Sequence, residues 1–425
     1  MKNRLILIAR AYNDLDCRLS ILFNHYKKYN DKSDIYIIPI PTNKGFANFI
    51  NESVINEIEN IGGKLVPFNG FCSNRLLLQS LIKSYWLIPR KIKNPVIRKF
   101  LVRIRNLYFK IIRTLFLSNK TTMDRFLAFC GNSTVIIDEI VFTPDRSFVV
   151  EALLKKRNNY NIISFLTGQD TYLDLWHDKK DSNDEFKIQS NNEIPFFVPS
   201  KNDYDKYSRK FNTTNIHVIG NTRFDSKWIE RLSKSAKKSV NANSILKKTP
   251  KHKILFMLSK IEYGIHQNNL IELINACANI KDSIVILKPH TRGMTLNSFK
   301  NSINKNIVDG LKIDSSTLIE WSNTVLFTGS SIIFQAMMLS KKTVFLKYCQ
   351  KYKTVFDNFN EICIANDHED VINYILNYEL TSFDKIAIAN QVNKFAHNSI
   401  KDGEVCNELF QSFSTLFDFK AKSIN

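Results

Sequence analysis

The chain has 425 residues, of which 44% are hydrophobic and 24% are charged, so it can bury a sizeable core and general disorder is excluded. The formal net charge of +20 favours an anionic partner such as a phosphorylated substrate, nucleic acid or lipid headgroups. The seven cysteines show no CxxC or other metal-ligand spacing, so we expect buried free thiols in a reducing cytoplasm rather than zinc or disulfides. No run of about 18 apolar residues is present, so we expect no membrane-spanning helix.

The first 220 residues alternate short apolar runs with helical patterns. Strands are predicted at residues 5–9, 35–40, 64–68, 134–138, 162–166, 196–199 and 216–219, and helices at 14–28, 53–61, 147–156 and 203–211. Continuous apolar strands that alternate with amphipathic helices are typical of a parallel sheet covered on both faces.

Residues 95–117 interrupt this rhythm with a basic amphipathic pattern. At ~100° per residue, apolar and basic side chains form two stripes on roughly opposite sides of a helix: Ile97, Leu101, Ile104, Tyr108, Ile111 and Leu115 against Lys99, Arg103, Lys110 and Arg113. No Asp or Glu occurs between Glu59 and Asp124, while Lys and Arg recur. The pattern predicts a helical insertion, at about residues 90–125, that binds the anionic inner-membrane surface. The alternative is a helix packed on its own domain with a solvated basic face.

Residues 233–253 are basic, polar and weakly patterned, so they predict a linker between two domains. The expected organisation is an N-terminal Rossmann-like domain over residues 1–232, a C-terminal Rossmann-like domain over 233–400, and a C-terminal helix over 401–425 that packs back on the N-terminal domain. Helices are also predicted at 267–278, 317–321, 332–339, 370–378 and 383–395.

Polar loops follow three predicted strands of the second half. Ser259 and Lys260 follow the strand at 254–258, Lys288-Pro-His-Thr-Arg292 follows 283–287, and Thr-Gly-Ser330-Ser331 follows 324–327 before a helix. A further strand is predicted at 343–346. In parallel sheets, ligands lie beyond the carboxyl ends of the strands. Lys288, His290 and Arg292 with two hydroxyls at a helix N-terminus suit a phosphate-bearing ligand, although a histidine and capping serines at such places are also common structural features.

The order of these motifs, PS…IHVIGNTRFD, a strand ending in SK, then ILKPH and TGSS, resembles bacterial surface-polysaccharide glycosyltransferases of the GT-B class. The nearest group includes the CDP-glycerol glycerophosphotransferases and the Kdo and sialic acid transferases of capsule and lipopolysaccharide synthesis. The resemblance implies an α/β fold of two Rossmann-like domains whose parallel sheets face a central cleft. It also implies that Lys288, Pro289, His290, Ser330 and Ser331 hold the phosphate of the donor.

On this resemblance we expect a glycosyltransferase that moves a sugar from a nucleotide-activated donor, with CMP- or CDP-linked donors favoured, to a glycan or lipid-linked acceptor of a growing bacterial surface glycan. Three positions depart from the family pattern: Thr291 replaces a proline, Gln335 stands where relatives carry a glutamate that grips the donor ribose, and Gly168-Gln169-Asp170 stands where many relatives show His-Gly.

The expected chemistry needs a stabiliser for the leaving phosphate and a base for the acceptor. His290 is predicted to stabilise the phosphate, with Ser259, Lys260, Lys288, Arg292, Ser330 and Ser331 binding the donor. Asp170 is the predicted base, with Asp138 and Glu139 as alternatives at another strand end. No cluster with metal-ligand spacing is present, so no tightly bound metal and no cofactor beyond the donor are predicted.

Three other functions remain open. A CDP-glycerol-type glycerophosphotransferase would use the same fold, as would a hydrolysing UDP-N-acetylglucosamine 2-epimerase. The epimerase family shows a glycine-rich, Glu-containing turn where this chain has TGSSIIFQ, which argues against it. A non-catalytic anionic-lipid or nucleic-acid binder is suggested by the charge, but no aromatic-basic RNA motif or basic recognition helix indicates nucleic acid.

Overall fold

The computed structural model describes residues 3–9, 19–23, 33–39, 57–71, 94, 96–97, 99–101, 103–104, 107–108, 111, 120–138, 152–154, 161–166, 168–174, 194–211, 215–290, 302–304, 307–400, 402–405, 407–409 and 411–412. Within these residues the chain forms two parallel sheets with helices on their faces, as the sequence predicts.

The first sheet has seven strands in the order β3-β2-β1-β4-β5-β6-β7. Their bounds are β1 Asn3–Ala9, β2 Ser33–Pro39, β3 Gly63–Leu65, β4 Ser133–Asp138, β5 Asn161–Phe165, β6 Phe196–Val198 and β7 Ile216–Val218. Alternate residues of one strand enter different apolar clusters: Ile6 and Ile8 pack on one face, and Leu5 and Leu7 on the other. Because both faces are buried, these strands are continuously apolar.

The second sheet has six strands in the order β10-β9-β8-β11-β12-β13. Their bounds are β8 His252–Met257, β9 Ser283–Lys288, β10 Val308–Asp309, β11 Thr324–Phe327, β12 Lys342–Leu346 and β13 Cys363–Ala365. The sequence does not predict β10 and β13, the two edge strands, because two or three residues are too few to show a periodic pattern.

Eight helices of the described residues have defined bounds. They are α1 Lys120–Cys130, α2 Lys201–Phe211, α3 Ser226–Ala242, α4 Gln267–Ala278, α5 Ser315–Trp321, α6 Ile333–Met338, α7 His368–Asn377 and α8 Ser382–Ala396. Among the described residues, no helix is both long and apolar enough to cross a bilayer.

The prediction of a linker at residues 233–253 is wrong for its first half, because α3 continues to Ala242. This helix buries Trp228 in a cluster of the first sheet and Ile229 in a cluster of the second. The helix is rich in lysine and serine, but its buried residues recur every three to four positions and form a face that packs against both domains. The helix therefore joins the two domains by packing, and the predicted boundary at residue 232 falls inside it.

The described residues of the C-terminal segment, which extend to residue 412, lie against the N-terminal domain. Leu409 is fully buried in the same cluster as Leu5 and Trp228. The Ser226 amide donates to Asp402 Oδ1 at 2.9 Å, and Lys227 Nζ donates to the Gly403 carbonyl at 2.7 Å. These contacts attach the C-terminal segment to the first turn of α3.

The described cysteines are free thiols, as predicted. Cys130, Cys277 and Cys349 are buried. Burial raises the pKa of each of these three thiols to about 12. They therefore stay protonated at neutral pH and behave as apolar core residues.

Candidate functional site

Three loops with predicted ligand-binding residues lie side by side at the carboxyl ends of the strands of the second sheet. They follow β9, β8 and β11, which are neighbours in that sheet. The chain changes direction across the sheet between β8 and β11, so Ser259 and Ser330 flank the topological switch point, where ligands of such sheets bind. The Ser259 amide donates to Thr328 Oγ1 at 3.2 Å and ties two of the loops together.

Lys288 does not match the expectation that it reaches the ligand. Its ammonium donates to the carbonyls of Gly310 at 3.1 Å, Leu311 at 3.0 Å and Ile313. The ammonium therefore has three carbonyl partners, and the side chain is buried. Because β9 pairs with β10, the last side chain of β9 lies beside the turn that follows β10. In this arrangement Lys288 stabilises that turn.

Among the other predicted donor ligands that the structure describes, Ser259 is buried and the rest lie closer to solvent. Lys260 Nζ lies 5.2 Å from the centre of the Tyr263 ring, and Ser330, Ser331 and His290 are half-buried. Arg292 lies outside the described residues.

A pocket between the two domains adjoins these loops. Residues after strands of the first sheet form most of its wall: Gly168 and Gln169 after β5, and 220–223 after β7. Ser331 contributes from the second sheet. The carboxyl ends of strands from both sheets therefore face one cleft.

Residues 169–173, which we call the cross-cleft segment, connect the N-terminal domain to the C-terminal domain. Thr171 Oγ1 donates to the Gly329 carbonyl at 3.0 Å. The Val355 amide donates to the Thr171 carbonyl, and the Leu173 amide donates to the Lys353 carbonyl, both at 2.9 Å. Backbone pairing across the cleft thus fixes the distance between the two sheets at this point.

Tyr172 is a buried aromatic residue of the cross-cleft segment. Its ring meets that of Tyr263 edge to face at 5.4 Å, and burial raises the pKa of its hydroxyl. Tyr172 Oη, Ser259 Oγ and Gln350 Oε1 are buried without a hydrogen bond of normal geometry. Ser259 and Gln350 are still close enough to the hydroxyl to oppose part of the pKa rise. Buried polar groups from both domains therefore meet here.

The glycine of the Thr-Gly-Ser-Ser turn makes room for Tyr172. Gly329 has φ +151°, and a Cβ built on it would lie 2.7 Å from Tyr172 Oη and 2.9 Å from Cζ. No side chain fits at that distance. Tyr172 was not predicted as a site residue; the available signal is the glycine two residues after the strand, which permits a close approach to the backbone.

Asp170, the predicted base, lies at the start of the cross-cleft segment in a polar network. Its carboxylate pairs with Lys206 and is 18% exposed. Asp170 Oδ1 accepts from the Tyr172 amide at 3.1 Å, and the Asp170 amide donates to Asp203 Oδ1 at 3.3 Å. To take a proton from an acceptor, the carboxylate would have to release Lys206. Asp138 and Glu139 offer no comparison, because the side chain of the first and the whole of the second lie outside the described residues.

Asp203 anchors this network and was missed by the sequence analysis. Ser200 Oγ donates to Asp203 Oδ2 at 2.6 Å, and the Asp203 amide donates back to Ser200 Oγ at 3.2 Å, which caps α2. Desolvation by burial raises the pKa of Asp203 to about 7. The Ser-x-x-Asp spacing is the signal that could have found it.

Gln335, the position where relatives carry a ribose-binding glutamate, points away from the cleft. It is buried, and its Oε1 accepts from Ser316 Oγ at 3.2 Å, so it packs between α5 and α6. The described residues hold no group of three or more His, Cys, Asp or Glu that could bind a metal ion. Independence of a metal stays a prediction.

The fold is similar to that of several solved enzymes. The structure of UDP-N-acetylglucosamine 2-epimerase from Neisseria meningitidis bound to UDP-GlcNAc superposes with a TM-score of 0.55 at 12% identity, over 97% of this chain and 100% of that one. A variant of the wall teichoic acid polymerase TagF gives a TM-score of 0.55 at 12% identity, over 99% of this chain and 90% of that one. The MnaA structure with UDP from S. aureus gives 0.53 at 11% identity, over 98% and 97%.

These similarities, together with the two facing parallel sheets, show that the chain has the GT-B fold, as predicted. No protein-family model matches the sequence, and no curated protein is detectably similar to it.

Proposed function

We propose that this protein is a nucleotide-dependent transferase that moves a sugar from an activated donor, preferably CMP- or CDP-linked, to a growing bacterial surface glycan such as a capsule polysaccharide or lipopolysaccharide. The observation that carries the proposal is the position of Ser259, Ser330 and Ser331, which follow β8 and β11 at the switch point of the second sheet, beside a pocket lined by Ser331 and by residues of the first sheet. Two-sided enclosure of this kind suits a reaction between a nucleotide donor and a second substrate.

The donor phosphates would bind at the ends of β8, β9 and β11. Backbone N–H groups and hydroxyls at residues 330–331 can donate to phosphate oxygens. His290 and Lys260 would offset the charge that develops on the leaving phosphate. Lys288 would contribute by holding the turn at residues 310–313, and Asp170 remains the proposed base for the acceptor hydroxyl.

Transfer is favoured over epimerisation by the turn TGSSIIFQ, because the epimerase family shows a glycine-rich, Glu-containing turn at this place. Gln335 is buried and bonded to Ser316, so it presents no carboxylate to a ribose in the cleft. Glycerophosphate transfer is the second candidate, because 99% of this chain superposes on the fold of the teichoic acid polymerase TagF. A CDP-linked donor would serve both reactions.

The test is a thermal-shift screen of the intact protein with CMP, CDP, UDP, GDP, dTDP and CDP-glycerol. A ligand that binds the native state at 100 times its Kd raises the free energy of unfolding by about 2.7 kcal/mol. We expect a cytidine nucleotide to give the largest shift. Product analysis of the matching donor with a lipid-linked acceptor then separates sugar transfer from glycerophosphate transfer. Absence of stabilisation by every nucleotide would contradict the proposal.

A further inference from the structure

The basic helix, by which we mean the described residues between 96 and 111, exposes an apolar strip to solvent. Every described position in this range is helical, and the Val96 amide donates to Asn94 Oδ1 at 3.0 Å at its start. The exposed apolar side chains are Val96, Ile97, Phe100, Ile104, Leu107 and Ile111. At ~100° per residue they fall within an arc of roughly 100°, so they form one continuous strip.

The two edges of this strip differ. Leu101 and Tyr108 border one edge and are half-buried, and Tyr108 packs against a core cluster of the first sheet. Lys99 and Arg103 border the other edge and are exposed. Lys99 and Arg103 therefore lie beside the outward apolar strip, while Lys110 and Arg113 of the predicted basic stripe lie outside the described residues. The helix rests on the protein by one edge and presents apolar and cationic groups together to solvent.

The surrounding sequence is uniformly cationic. Residues 60–123 contain 13 Lys and Arg and no Asp or Glu. A second copy of the chain docked on this strip would bring the same cations face to face, which is unfavourable. The cations would attract nucleic acid, but the phosphate backbone of nucleic acid would not bury an apolar strip of Phe and Leu. A partner that is anionic at its surface and apolar just below it matches both features.

We propose that the basic helix docks the protein on a membrane surface that contains anionic lipid, such as the inner leaflet of the plasma membrane. Phe100 and Leu107, which are 62% and 61% exposed, would enter the boundary between headgroups and acyl chains, while Lys99 and Arg103 contact lipid phosphates. The inference is independent of the donor and of the reaction proposed above.

The experiment is co-sedimentation of the full chain with vesicles of phosphatidylcholine alone or mixed with phosphatidylglycerol. We expect binding to the mixed vesicles and weakening of it by salt. Phe100→Ser with Leu107→Ser should lower the partition coefficient by about tenfold per residue. Lys99→Gln with Arg103→Gln should lower it by about fivefold per charge. All four side chains are exposed, so the fold should survive, as circular dichroism can verify.

Matched controls use equivalent side chains on the C-terminal domain. Phe383 on α8 is 78% exposed, and Lys247 and Lys248 are exposed after α3. Phe383→Ser and the double change Lys247→Gln with Lys248→Gln should leave vesicle binding at the wild-type level.

Three results would overturn the proposal. The wild type could ignore mixed vesicles, or the control variants could lose binding as much as the helix variants. Alternatively, analytical ultracentrifugation could show a dimer that Phe100→Ser with Leu107→Ser dissociates while vesicles stay unbound, which would assign the strip to a second copy of the chain.

Discussion

Gly329→Ala should release the cross-cleft segment from the C-terminal domain. A Cβ at this position would lie 2.7 Å from Tyr172 Oη, closer than any real Cβ contact, so Tyr172 has to move. Overpacking of this kind costs about 1–3 kcal/mol. Since 1.4 kcal/mol is a factor of ten, opening of the segment should be favoured about 5- to 150-fold. The φ of +151° adds strain of about 1–3 kcal/mol, which the turn bears whether or not the segment is docked.

Amide hydrogen exchange can measure this opening directly. The amides of Leu173 and Val355 donate across the cleft and should exchange faster in Gly329→Ala by the factor given above. The amide of Leu258, which bonds to Lys288 within the second sheet, is the internal control. In a Tyr172→Ala background the clash is gone, so adding Gly329→Ala should leave exchange of the two amides unchanged. Unaltered protection in the single variant, or additive effects of the two substitutions, would refute the reasoning.

Three other expectations follow from the site. His290→Ala and Ser330→Ala should each weaken nucleotide binding by about 1.5–3 kcal/mol in calorimetric titration while the melting temperature without ligand stays constant; unchanged affinity in both would remove the phosphate assignment. Asp170→Asn should lower turnover by about 10²–10⁴-fold with little change in nucleotide affinity, and an equal loss in Lys206→Gln would show that Asp170 acts through its ion pair instead. The raised pKa of Asp203, about 7, means that the folded protein keeps a proton that the unfolded chain loses above pH ~4. The free energy of unfolding should therefore fall as pH rises from about 4 to about 7, and chemical denaturation of Asp203→Asn should show a smaller fall over that range.

The central strands could be predicted because their sequence and environment agree. β1 and β11 are buried on both faces, and the continuous apolar runs at residues 5–9 and 324–327 follow from that burial. The polar loops after β8, β9 and β11 could be placed at the same end of the second sheet by topology alone. Edge strands such as Cys363–Ala365 are short and half-buried, so their sequence carries no comparable signal.

The parts that sequence could not predict depend on distant partners. Lys288 begins a motif that is typical of phosphate binding. Its ammonium nevertheless donates to carbonyls that lie 22–25 residues further along the chain. Thr171 finds its acceptor on Gly329, 158 residues away. The sequence near Lys288 and near Thr171 contains no signal for these distant partners. Likewise, α3 has a composition typical of a linker, and its helical state is stabilised by two cores that bury Trp228 and Ile229.

The most direct test of the account is hydrogen exchange of the intact wild type with and without a saturating cytidine nucleotide. If the donor binds at the switch point of the second sheet, peptides that cover residues 258–264, 288–290 and 328–335 should gain protection on binding. Nucleotide binding that leaves these peptides unchanged and protects other regions would contradict the central claim.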